Sequence, residues 1–208
     1  MMKTACVLFF CLLFSATAAG AAPVRDETGH FSLDLPEGWN MAGQDFSGPE
    51  RDNLAKFFDC LDAEASELRF LGWIKPAPGA SIPAAFCVTY RPEGVGKAGR
   101  ILRESEGKQK EEATSRFIDV FVARMHENYA RRGLEMEVGS ADLLEAGEDL
   151  VLILEAGLRS KTGTFRRSST VFLHEDALLE IGAIYTRKTP VFAMDQLDAL
   201  PQSLIWLK

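Results

Sequence analysis

The stretch from Lys108 to Gly133, KQKEEATSRFIDVFVARMHENYARRG, constrains the fold more tightly than any other part of the chain. Phe117, Val120, Phe121, Met125 and Tyr129, joined by Ile118 and Val122, recur at the spacing that gathers apolar groups on one side of a helix. Glu111, Glu112, Arg116, Asp119, Arg124, Glu127 and Arg131 supply the wet side. Acids lead and Arg131 with Arg132 closes, the order the helix macrodipole favours, and Gly133 is free to take a left-handed cap. Such a face has to be laid on an apolar layer, and the remaining patterns make that layer a sheet.

The chain opens with Met1, Met2 and Lys3, an apolar run from Ala5 to Phe14, and the small-residue tract SATAAGAA. These features predict a secretory signal peptide over residues 1–21, cleaved after Ala21, and a single globular domain over residues 22–208. The apolar run is shorter than the roughly 20 residues a membrane span requires. Cys11 lies within that run behind Phe9 and Phe10, not in a lipoprotein setting. The expected location is periplasmic or secreted, with no membrane span after cleavage. The net charge of −7 becomes more negative once Lys3 is removed, which argues against a nucleic-acid partner. Cys60 and Cys87 survive cleavage, and an oxidising compartment makes their disulfide an expectation. The other reading is that both are small buried hydrophobes.

Period-two patterns fill the rest. Phe31, Leu33 and Leu35 alternate with Ser32 and Asp34 and predict a half-buried strand, stopped by Pro36 and Gly38, with Trp39 anchoring the turn. Between Leu54 and Ile74 the sequence fits either a helix bearing Leu54, Phe57, Phe58 and Leu61 or two strands, FFDCLD and ELRFLGWI; the hairpin is preferred. AAFCVTYRP predicts a strand with Phe86, Val88 and Tyr90 on one side, and Glu93 to Gly107 reads as a Gly-rich charged loop. LEMEVGSADLLEAG, DLVLILEAGLRS, TFRRSSTVFLH and ALLEIGAIYTR predict four consecutive antiparallel strands. Thr189 is expected to cap a closing helix with Pro190 in its first turn and Leu197, Leu200 and Leu204 as its stripe.

The element order predicts an α+β fold, an antiparallel sheet flanked by a long central helix and a C-terminal helix. The opening FSLDLPEGW, the long helix after the first strands, the meander and the closing LDALPQSLIWL resemble the PsbP-like superfamily. That superfamily also includes the Ran-binding Mog protein and DcrB-type periplasmic proteins. The resemblance implies an alpha-beta-alpha sandwich and a role in binding or stabilising partners, with nothing catalytic.

Motifs that would imply a sharper chemistry fail on their mechanics. GVGK at residues 94–97 has Arg91 where a phosphate loop needs its first glycine and Ala98 where it needs a hydroxyl. Ser105 with Lys108, and Lys161-Thr162-Gly163, imitate parts of a serine acyl-enzyme signature whose middle Ser-Asp-Asn is missing. His30, His126 and His174 are scattered, His126 lacks a ligand at helical distance, and His174 is expected to be solvated in a turn. No catalytic, cofactor or metal residue is assigned, and no cofactor is expected.

Arg159, Lys161, Arg166 and Arg167 cluster around one predicted hairpin of an otherwise acidic chain. They are candidates for binding a protein partner or an anion, against the reading that they guard a sheet edge. The functional expectation is an exported, non-catalytic binding or accessory protein of the bacterial cell envelope, acting on a protein partner. The alternative is a small envelope hydrolase whose residues meet only in three dimensions.

Overall fold

The computed structural model describes residues 23–42, 49–58, 67–77, 80, 82–161 and 163–207. The leader and Cys60 therefore lie outside the described residues. The elements run β1 (Val24–Arg25), β2 (Phe31–Leu33), β3 (Asn40–Met41), α1 (Pro49–Leu54), β4 (Leu68–Trp73), β5 (Ala84–Arg91), α2 (Gly96–Glu104) and α3 (Gly107–Arg131). They continue with β6 (Glu135–Ala146), β7 (Asp149–Ser160), β8 (Gly163–His174), β9 (Ala177–Tyr185), α4 (Val191–Ala199), a 3-10 turn (Leu200–Ser203) and β10 (Ile205–Trp206).

Seven strands form one antiparallel sheet in the order β3-β4-β5-β9-β8-β7-β6. The predicted four-strand meander is β6 to β9, and the hairpin turns use the backbone freedom of Gly147 at φ 66° and, without glycine's licence, Glu175 at φ 48°. A second antiparallel sheet, β1-β2-β10, joins the start of the chain to its end. The β6–β7 register shifts between Val138 and Ser140, leaving Gly139 as a bulge in the outermost strand.

Two apolar layers lie on opposite sides of the seven-stranded sheet. On one side Cys87, Leu154, Leu158, Phe165 and Ile184 meet Met125 and Tyr129 of α3, together with Leu54, Phe57 and Phe58. On the other, Phe86, Val88, Leu179 and Ile181 meet Leu197 of α4 and Phe31 and Leu33 of the small sheet. β5 is thus covered on both faces, which is why nearly every residue in AAFCVTYR is buried. The α+β class and the layered sandwich follow the sequence expectation.

Several local expectations are corrected. The long helix starts at Gly107, so its first turn carries Lys108 and Lys110 and no acid. Its C-terminal end does follow expectation: Gly133 has φ 72°, and the amides of Gly133 and Leu134 bond to the carbonyls of Ala130 and Tyr129. The apolar face is narrower than its pattern suggests, because only Met125 and Tyr129 are buried while Val120 is 62% exposed. Of the preferred hairpin, ELRFLGWI supplies β4, whereas a short helix, α1, ends at Leu54 just before FFDCLD and Phe57 sits in the turn that follows it; residues 59–66, with the rest of that first strand, lie outside the described residues.

The Gly-rich stretch after β5 holds α2, seated by Val95 and Leu102 against Leu150 and Leu173. β2 is buried on both sides, Ser32 included, because the small sheet wraps it. Thr189 does not cap α4: its hydroxyl accepts from the Thr186 amide at 2.9 Å and donates to the Pro83 carbonyl at 2.5 Å, while Pro190 occupies the cap. Trp39 anchors its turn through a 2.8 Å bond from Nε1 to Gln196 Oε1 on α4.

Candidate functional site

Alternation along β8 sends Phe165, Arg167 and Ser169 toward α3 and Arg166 to the opposite face. Arg167 is 3% exposed, buried beneath the helix. Its Nη2 donates to Glu180 Oε1 at 2.8 Å and its Nε donates to Ser169 Oγ at 3.0 Å. Ser169 in turn donates to Glu180 Oε1 at 3.2 Å, and the guanidinium carbon lies 5.1 Å from the centre of the Phe58 ring. The pair is admitted by Gly182 of β9, where a Cβ would stand 2.2 Å from Arg167 Nη2. Glycine is required there for close approach and not for its dihedral freedom.

Above this ion pair α3 and the sheet stand apart and enclose a cleft of about 200 Å³. Phe57, Phe117, Phe121 and Met125 give it apolar walls, and Thr89, Arg91, Arg124, Arg167 and Glu180 give it polar points. Tyr129 closes one end by donating from its hydroxyl to the Phe57 carbonyl at 3.2 Å. The half-buried apolar residues of the helix are therefore cleft wall. The helix is a component of the site as well as a scaffold for the sheet.

The structure divides the predicted basic cluster. Arg159, Lys161 and Arg166 are exposed, and Arg166 lies over the Tyr185 ring, 5.5 Å from its centre, on the face away from α3. Burial, and then the nearby Glu155 carboxylate, hold the Tyr185 hydroxyl above its ordinary pKa. Only Arg167 reaches the cleft. Cys87 also lines it and is buried at 3% exposure, while its expected partner Cys60 lies outside the described residues.

A second, more open cavity of about 670 Å³ lies at the tips of the β6–β7 and β8–β9 hairpins. Here Asp149 and His174 face each other across neighbouring strands, with His174 Nδ1 2.6 Å from Asp149 Oδ1. Trp206 of β10 donates from Nε1 to Asp149 Oδ2 at 2.9 Å and stacks on the His174 ring at 4.4 Å. His174 is thus a partly buried, partnered residue and not the solvated turn residue its sequence neighbours imply. Asp149 and Trp206 carry no local signal of this role, since the contact joins positions far apart in the chain. Among the described residues no group of three or more His, Cys, Asp or Glu side chains is placed to hold a metal ion.

The chain is similar in structure to the cyanobacterial PsbP protein (CyanoP) of Synechocystis sp. PCC 6803, with 10% identity and a TM-score of 0.53 over 93% of this chain and 98% of that one. It is also similar to LpqN of Mycobacterium tuberculosis, a protein involved in cell envelope biogenesis, with 10% identity and a TM-score of 0.44 over 90% of each chain. No family model and no curated protein matches the sequence. The likeness to CyanoP shows that the chain has the PsbP-like fold.

Proposed function

We propose that residues 22–208, after removal of a leader over residues 1–21, form one exported, non-catalytic binding or accessory domain of the bacterial cell envelope. Its partner engages the cleft beneath α3. The observation that carries this reading is the half-open apolar side of the helix: Phe117 and Phe121 are only partly buried and Val120 is 62% exposed, around a concavity floored by a buried ion pair. Closing the helix onto the sheet would gain about 25 cal/mol for each Å² of apolar surface removed from water. An apolar concavity left open against that gradient is the usual form of a binding surface. Among the described residues no helix is long and apolar enough to cross a membrane, a fact that leaves β-barrels unaddressed.

A photo-crosslinking residue placed at Val120 in the intact envelope is expected to capture a reproducible protein adduct, identified by mass spectrometry. The same residue at Arg159, on the exposed face away from the cleft, is expected to capture none. Adducts from Arg159 with none from Val120 would move the binding surface back to the basic hairpin.

The second cavity favours another reading, a small hydrolase in which His174, oriented by Asp149, draws a proton from water. Chromogenic ester, phosphoester and glycoside substrates test it. Hydrolysis by the wild type that disappears in a folded His174→Ala variant would support it, and an inactive wild type would reject it.

A further inference from the structure

We infer that the cleft beneath α3 takes a small amphiphilic anion, an alkyl or aryl carboxylate, whose apolar part lies among Phe117, Phe121 and Met125 and whose charge is met by Arg124. The inference rests on the reading of this cleft as the binding surface and adds the chemistry of what enters it.

Charge is the first argument. Three guanidinium groups, Arg91, Arg124 and Arg167, line the cleft against one carboxylate, Glu180, in a chain whose net charge is −7. Arg167 and Glu180 answer each other on the floor, at 2.8 Å. Arg91 is bridged to Glu67 at 2.7 Å, with both groups about a third exposed. Arg124 stands on the exposed side of α3, one residue before buried Met125, and has no ion-pair partner among the described residues. The cleft therefore carries one uncompensated positive charge where the helix meets solvent. A guanidinium is suited to a planar carboxylate, which it can engage through two parallel N–H donors.

Size and wall chemistry set the rest of the ligand. A cavity of about 150 Å³ lined by apolar side chains accepts a benzene ring, and drug-sized ligands occupy about 300 Å³ or more. At about 200 Å³ this cleft falls between them, matched to one ring or a short alkyl chain. Its aromatic and aliphatic walls offer such a group a dry surface, while the mouth beside Arg124 leaves the charged end in contact with water. A cation of the same shape meets repulsion at that mouth. A neutral homologue gains the apolar contacts alone.

Titration calorimetry of the purified full-length protein with octanoate, octanol and octylamine tests this. Octanoate is expected to bind about tenfold more tightly than octanol, with octylamine weaker still, the scale of one partly desolvated charge-assisted contact. Arg124→Gln is expected to bring octanoate down to the level of octanol, and Arg124→Glu to reverse the order of octanoate and octylamine. Both variants lie on an exposed helix position and should keep the wild-type circular dichroism spectrum. Equal binding of octanoate and octanol, or an unchanged preference in Arg124→Glu, would overturn the inference. If none of the three probes binds while Val120 still captures a protein, the anion assignment fails and the binding reading stands. If Val120 also captures nothing, both fail.

Discussion

Replacing Glu180 with Ala is expected to lower the stability of the folded protein by about 3–5 kcal/mol, the cost of leaving a buried charge without its counter-ion. Glu180 holds Arg167 and Ser169 simultaneously, at 2.8 and 3.2 Å, and Arg167 is 3% exposed. The guanidinium cannot shed its proton to escape the penalty, because its ordinary pKa lies far above neutrality. Swinging it into water would remove its contact with Phe58 and open a gap over Gly182, whose missing side chain is filled by that guanidinium. Replacing both partners tells a different story: Arg167→Met with Glu180→Leu removes the charges as a pair and refills the volume. The double variant is therefore expected to stay within about 1 kcal/mol of wild type, or to exceed it. Urea unfolding of the two variants checks both statements, with an unchanged denaturant slope confirming that the midpoint reports stability. A single variant that loses less than about 1 kcal/mol would mean the pair is not the floor described above.

Asp26 is expected to give the second largest effect and to govern the acid side of the stability profile. Its side chain is fully buried between β1 and β2, where Oδ1 accepts from the His30 amide at 2.8 Å and the Phe31 amide at 3.3 Å. Oδ2 accepts from the Thr28 amide at 3.3 Å and from the Thr28 hydroxyl, with Arg69 Nε 3.8 Å away. Burial by itself would raise the carboxyl pKa, but the Thr28 hydroxyl and the three amides outweigh it and leave the group below its ordinary 3.8. The folded protein therefore holds this proton less firmly than the unfolded chain does. The contribution to stability is complete above the unfolded pKa and is lost as pH falls through the folded one.

Asp26→Asn keeps the shape but turns an NH2 group toward donors, so a loss of about 2 kcal/mol is expected at neutral pH. Because the variant cannot titrate there, its stability should fall less steeply than wild type on acidification below about pH 4. Unfolding midpoints measured across that range decide the matter. Parallel curves for the two proteins would remove Asp26 from the acid response.

The meander was legible because each of its strands has one face against α3, and that burial imposed a period of two on the sequence. The same periodicity already contained the fate of Arg167. It shares parity with Phe165, Val171 and Leu173, all buried, whereas Arg166 shares parity with exposed Thr164. Reading the four basic residues as one cluster used their proximity in sequence and ignored the pleat. α2 was hidden for another reason: Gly96 and Gly99 depress helix propensity, and only the packing of Val95 and Leu102 on β7 and β8 offsets that. The exposure of Val120 was not legible at all. A helical repeat reports which residues share a side, but what faces them across the gap is the Arg167–Glu180 pair on the sheet and the Phe57 and Phe58 rings of the segment after α1. Nor could sequence reveal the meeting of Asp149, His174 and Trp206, which depends on β10 returning to pair with β2 and arriving at the far end of β7.

The bulge at Gly139 bears on how this molecule avoids its own copies. β6 is twelve residues long and closes one end of the seven-stranded order, so its outer backbone is a template for a strand added by another chain. The bulge breaks the spacing of that template near its middle, and exposed Glu135, Glu137 and Asp142 mark both halves with negative charge. A second copy would bring the same carboxylates, so lateral growth of the sheet is opposed by geometry and by repulsion together. The cleft between helix and sheet offers neighbours a different kind of surface, where recognition depends on side chains and can discriminate among them.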